Sequence, residues 1–302
     1  MERSNTTPLT TKCLIGGSYA GLIAVNVLAG SKLFGLRTNS ELSGAYPTHV
    51  TPAGFTFSIW GPIFMLQMGG TISISCGAVP STSVTAVTLP WVLTWLFECL
   101  WQFVFFTAPV PPSAASDSRR LLTLGPAAVM LVSAYASMLT AGIRLRLKDV
   151  AENSSACSQL LSACFVDLPT GMNAGWLAAA SGIGITLVSQ IALPSVATPQ
   201  GGAVLVSGLS GLAAIASIAL GSSLRSVAVG IGYAAATAWA CFGITRATDV
   251  PSAVATAAHR GIYIAGAGGV VAVVSAAVAH CCCGDEHKAL LRPLLSGPRS
   301  ST

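Results

Sequence analysis

The chain has 302 residues, 53% of them hydrophobic and 8% charged, with a net charge of +5 and a mean hydropathy of +0.71. A soluble domain usually carries about 25% charged residues, so this composition excludes a water-soluble fold and requires an integral, multi-pass membrane protein with the lipid bilayer as its first partner. The modest charge, with no basic run interleaved with aromatics, excludes a nucleic-acid partner, and apolar stretches near the roughly 20 residues of a membrane helix exclude barrel strands.

The expected fold is therefore all-α, a polytopic helical bundle of about eight spans. Residues 1–12 form a polar N-terminal tail with Arg3 and Lys12. Span one is expected over about 13–36; Val27-Leu-Ala29 before Gly30 also fits a signal-peptide cleavage site, which leaves the removal of residues 1–29 open. A polar loop covers 37–53, and span two about 54–79. Span two begins in Thr51-Pro-Ala-Gly-Phe-Thr-Phe-Ser-Ile-Trp-Gly-Pro-Ile-Phe64, an uncharged, aromatic-rich run. Thr51 is placed to cap this helix and Pro52 tolerated at its start, while Pro62 is expected to kink it. The run fits a pocket wall or an interfacial belt of aromatics.

Pro80 to Thr85 reads as a turn, span three as about 88–108, Ser116 to Arg120 as a polar loop, and span four as about 121–143, closed by Arg144, Arg146 and Lys148. A loop over 145–167 precedes span five at about 168–192, with Asp167 marking its boundary. Spans six to eight, about 202–221, 226–245 and 254–280, are rich in Ala, Gly, Ser and Val; such small residues let helix backbones approach closely. Residues 281–302 form a polar, basic tail.

Eight spans put both termini on one side, which carries nine Lys and Arg residues against six on the other; this places both termini in the cytosol. Cys281, Cys282 and Cys283 are then juxtamembrane and candidates for S-palmitoylation. The sequons at Asn5 and Asn153 fall on the same side and are expected to be unused. The nine cysteines form no metal or disulfide framework. No nucleophile–base pair or phosphate-cradling loop is visible, so no enzyme activity and no cofactor are expected.

Thr51 through Phe64 resembles the first-loop and second-helix signature of the tryptophan-rich sensory protein and translocator protein family (TspO/MBR, the peripheral benzodiazepine receptor group), in its larger bacterial-type branch. Asn39-Ser-Glu-Leu-Ser43 and Tyr46-Pro47 ahead of it also look like that branch. In span three, Glu98-Cys-Leu-Trp101-Gln-Phe-Val-Phe-Phe106 is similar to the family's Asn-x-x-Trp-x-x-x-Phe-Phe pattern; in span five, Leu168-Pro169 with Gly175-Trp176 and Ala180 is similar to Leu-Pro…Gly-Trp…Ala. The resemblance covers residues 13–192 as a five-helix bundle, with 193–280 as three additional helices. It departs at Glu98 and Gly184, where the family has Asn, and at Pro52, where it has two prolines.

The resemblance implies a non-enzymatic membrane protein that senses or carries a hydrophobic small molecule, such as a porphyrin (haem included) or a sterol, often as a homodimer. Trp60, Trp101 and Trp176 would converge on one cavity with Phe57, and Tyr46, His49, Pro52 and Phe55 would belong to the overlying loop. Their bland alternative is core packing. Glu98 is also expected to be ligand-binding, as a hydrogen-bond or protonation handle for ligand or proton: a carboxylate near the middle of a membrane helix costs about 2.5–3.5 kcal/mol on insertion scales, so it should face the bundle interior, with Gln67 as a candidate partner. Two other functions remain open on the sequence: a proton-coupled secondary transporter using Glu98, and a structural membrane subunit.

Overall fold

A computed structural model describes residues 7–31, 37–148, 155–195, 197–224 and 226–295, of which 114 and 282–295 are described by their backbone alone. Every regular element among them is helical. The order is α1 (Leu9–Gly30), α2 (Asn39–Ala45), a 3₁₀ helix (Gly54–Ile59) running into α3 (Trp60–Ser75), α4 (Ser81–Phe106), a short 3₁₀ turn (Pro112–Ala114), α5 (Asp117–Leu147), α6 (Ala156–Ser162), a π-type turn (Ala163–Asp167) running into α7 (Leu168–Ala192), α8 (Pro199–Gly221), α9 (Val227–Thr245) and α10 (Ser252–Leu295). Eight of these helical segments are long and apolar enough to cross a membrane.

Several helices are longer than the hydropathy pattern predicts, because flanking polar residues serve as caps and first turns. Pro80 precedes α4, and Ser81 to Thr85, expected as a turn, is its first helical stretch. Ser116 caps α5 by accepting from the Arg119 N–H at 3.4 Å, and Asp117 pairs with Arg120 one turn on. Half of the expected loop at 145–167 is helical, in α6 and the π-type turn. α10 continues past residue 281 to Leu295, where a tail was expected. The sequons at Asn5 and Asn153 lie outside the described residues.

The start of α3 also differs from expectation. Thr51 caps no helix; its hydroxyl accepts from the Thr48 N–H at 2.9 Å and closes a turn within the loop. Pro62 is the third residue of α3, which continues the preceding 3₁₀ helix.

In the bundle, α4 packs against α1 and α5, α5 against α7, α7 against α9, and α8, α9 and α10 against one another. The Ala/Gly-rich helices share the main buried cluster, through Ala213, Leu220, Val229 and Tyr233. α7 and α9 come close enough for backbone contact. A Cβ on Gly171 would lie 2.0 Å from the Val229 carbonyl oxygen, and one on Gly232 would lie 2.4 Å from that of Leu168.

Side chains on one face of α4 tie the other half together. Trp91 donates to Thr170 of α7 at 2.9 Å, Trp95 to Gln67 of α3 at 3.2 Å, and Gln102 to Asn26 of α1 at 2.5 Å, while Glu98 accepts from Asn173 of α7 at 2.9 Å. The 3- and 4-residue steps between these positions keep them on one stripe of the helix.

Backbone atoms cannot swing aside as side chains do. Gly171→Ala is therefore expected to destabilise the bundle by about 1–3 kcal/mol and lower its Tm in detergent. Gly16→Ala, where a Cβ meets nothing within 4 Å, should leave Tm unchanged; equal midpoints for the two variants would contradict this packing.

Candidate functional site

The three motif tryptophans come together. A cavity between α2, the 3₁₀ helix, α3, α4, α5 and α7 is lined by Trp60, Trp101 and Trp176, with Phe57, Phe105 and Tyr46. The 3₁₀ helix explains part of this: with three residues per turn, positions 57 and 60 fall on the same edge. Phe57 meets the Trp176 ring edge-on at 5.8 Å and 87°, and Trp60 meets it at 6.1 Å and 86°. Trp101 and Phe105, one turn apart on α4, stack at 5.5 Å and 16°. The remaining wall is aliphatic: Leu124, Ala127, Ala128 and Leu131 from α5, and Ala180, Ile183, Gly184 and Leu187 from α7.

The cavity is a tight slot of about 60 Å³, well below the roughly 300–1,000 Å³ of pockets for drug-sized ligands. Its polar content is distinctive. The indole N–H groups of Trp60 and Trp176 are both buried without an acceptor, a state that costs free energy in an apolar setting. Tyr46 covers one end, its hydroxyl donating to the Pro109 carbonyl. Burial holds its phenol above the ordinary range against the pull of Arg120, so it stays a donor. Beyond Tyr46 and Leu187 opens a vestibule of about 440 Å³ that also includes Arg120, Asp117 and Gln190.

Other residues singled out in the sequence lie elsewhere. Phe55 points the opposite way from Phe57 and packs edge-on against Trp239 and Phe242 of α9. Pro52 lines a second, smaller apolar cavity of about 40 Å³ between α7, α8 and α9. His49 is half-buried beside Gly202 of α8. Glu98 is buried outside the slot; its partner is Asn173, not Gln67, whose side-chain oxygen is taken by Trp95. Cys281 is exposed, and the side chains of Cys282 and Cys283 lie outside the described residues.

A polar cluster at the far end of α4 carries no sequence motif. Lys148, 12% exposed, meets Asp167, 2% exposed, at 3.3 Å, and also donates to Ser83 at 3.0 Å. The Ser162 hydroxyl lies 2.9 Å from that of Ser83. Asp167 does mark the boundary of α7, but as one half of a buried ion pair that ties the π-type turn to the ends of α4 and α5. No cluster of metal-ligating side chains occurs among the described residues.

Residues 12–274 match a family described as TSPO-like protein, so the match runs past residue 192 and through about half of α10. No curated protein and no solved structure matches the chain.

Removing one partner of a buried ion pair strands the other. Lys148→Ala is expected to cost about 3–5 kcal/mol of stability, and the double variant Lys148→Ala/Asp167→Asn should regain most of it. Chemical unfolding of the purified variants in detergent measures this; a double variant no more stable than Lys148→Ala would contradict the pairing.

Proposed function

The chain belongs to the TSPO-like protein family, and from that premise we propose that it is a non-enzymatic membrane protein that binds a flat, hydrophobic small molecule of the porphyrin or sterol class in the tryptophan slot. One observation carries the reading: Trp60, Trp101 and Trp176, drawn from α3, α4 and α7, line a single apolar cavity, and the indole N–H groups of Trp60 and Trp176 are buried without an acceptor. Aromatic walls hold a flat ligand by burial and stacking, and the free N–H groups favour one with an acceptor at its edge.

The slot holds only about 60 Å³ in this state, so it must widen to take a ligand. The cover formed by α2 and Tyr46 is the mobile candidate. It is short, and it is held by a capping box, in which the Glu41 N–H donates to the Thr38 hydroxyl and the Thr38 N–H to the Glu41 carboxylate, and by the Tyr46–Pro109 bond. The vestibule on its outer side gives the ligand a polar mouth to pass.

Both termini are proposed to lie in the cytosol, on the side richer in Lys and Arg. The α10 segment from Ser252 to Cys281 is 30 residues long, about 45 Å at 1.5 Å per residue, the thickness of a bilayer core with its headgroup layers, so Cys281 would lie at the membrane surface. S-acylation of Cys281–Cys283 would there add a lipid anchor. Thioester-specific acyl exchange should label the wild type and not the variant with all three cysteines changed to serine; equal labelling would remove the modification.

Calorimetric titration with protoporphyrin and with cholesterol tests the site. Saturable binding of at least one is expected. Gly184→Leu, which places a side chain in the slot wall, should abolish it. Trp176→Phe, which keeps a ring and removes one N–H, should weaken it roughly three- to tenfold. Absence of saturable binding by either ligand would overturn the reading, and unchanged binding in Gly184→Leu would move the site elsewhere.

A further inference from the structure

The ligand slot makes no use of Glu98, yet the residue is 2% exposed about two-thirds of the way along α4. Among the described residues no cation pairs with it. Lys148 is taken by Asp167, Arg120 by Asp117, and Lys12 reaches the Ser75 carbonyl at the end of α3. α5 carries Arg144 and Arg146 in its last turn; within the spans, the titratable groups of the neighbouring helices are tyrosines and cysteines. α1 contributes Tyr19, which donates to the Phe64 carbonyl at 2.5 Å. The span of α5 contributes Tyr135, bonded to Tyr233 of α9, and α4 itself contributes Cys99. α3 and α7 contain no titratable side chain between their ends.

The one polar contact of Glu98 is incomplete in a specific way. Asn173 Nδ2 donates to Glu98 Oε1 at 2.9 Å. The second oxygen of each group, Glu98 Oε2 and Asn173 Oδ1, is buried without a partner. Both atoms are acceptors when the carboxyl is ionised, so they cannot satisfy each other. A carboxylic acid and a primary amide, by contrast, form a closed ring of two bonds: the amide N–H donates to one carboxyl oxygen, and the acid O–H donates to the amide oxygen. One proton on Oε2 therefore removes both deficits and the uncompensated charge together.

We propose that Glu98 and Asn173 form a proton-binding site in the membrane interior, a neutral carboxylic acid whose proton is shared with the Asn173 amide and which latches α4 to α7. The proton comes from aqueous hydronium: its O–H bond breaks to leave water as an O–H bond forms on Oε2, and no oxidation state changes. The latch joins the two helices that carry Trp101 and Trp176, each three residues further along its own helix. It requires no ligand and stands independently of the function proposed above.

Glu98→Gln is the diagnostic variant, because a glutamine amide makes the same two bonds to Asn173 with no titratable proton. Infrared spectra of the full chain at pH 7, wild type minus Glu98→Gln, are expected to contain the carbonyl stretch of a protonated carboxylic acid that shifts in D₂O. In Asn173→Ala the same band should persist and move to the higher frequency of a less strongly bonded acid. In thermal unfolding, the latch is present at low pH and lost as pH rises through the site's titration. The wild-type Tm should then fall relative to that of Glu98→Gln, which keeps its ring at every pH. A difference spectrum containing carboxylate stretches in place of the acid carbonyl would overturn the proposal, as would Tm profiles that run parallel across the pH range.

Discussion

A bilayer offers no water to a stranded polar group, so every such group in a span must find its partner inside the bundle. That constraint organises this protein around α4. Its inward stripe of Trp91, Trp95, Glu98 and Gln102 reaches Thr170, Gln67, Asn173 and Asn26 on three other helices. Hydrocarbon provides little drive for one apolar helix to choose another. Directional bonds at fixed heights along α4 therefore set the positions of α1, α3 and α7 relative to it. The tryptophan slot is a consequence, because Trp101 lies on the same helix between Glu98 and Gln102.

The second half of the chain is held differently. α7 and α9 touch backbone to backbone through Gly171 and Gly232, and this contact places Trp239, whose indole N–H donates to the Thr56 carbonyl at 2.9 Å. The Ala/Gly-rich helices thus brace the 3₁₀ helix from outside while Trp176 braces it from within. Phe55 and Phe57, two residues apart, are drawn to opposite sides, one to each brace.

Much of the architecture was legible in the sequence. Eight apolar segments gave eight spans, and the resemblance of three tryptophan motifs to one family pointed to a shared cavity. Helix limits were less legible, because Ser81 to Ser83 and Asp117 to Arg120 are polar by residue type yet form the first turns of α4 and α5, the latter under the Ser116 cap. The loop residues were misplaced for a geometric reason: a 3₁₀ turn groups positions three apart, which unites Phe57 with Trp60 and sends Phe55 away. Asn173 had no signal at all, being a lone amide in a helix of small residues. It could be found only through the carboxyl it meets. Lys148 and Asp167 were visible as charges at helix ends, but their pairing depends on the π-type turn, which no residue pattern announces.

The central claim is that the slot walled by Trp60, Trp101 and Trp176 receives a flat hydrophobic ligand. Photocrosslinking places a ligand most directly. A diazirine-bearing analogue of whichever probe binds saturably would be irradiated with the full chain in lipid nanodiscs, and the adducts mapped by mass spectrometry. The account predicts adducts on the slot-lining segments of α3, α4, α5 and α7, abolished by excess unlabelled probe. Adducts confined to outward-facing residues such as Val204 and Leu212 of α8, or adducts that excess probe does not displace, would contradict it.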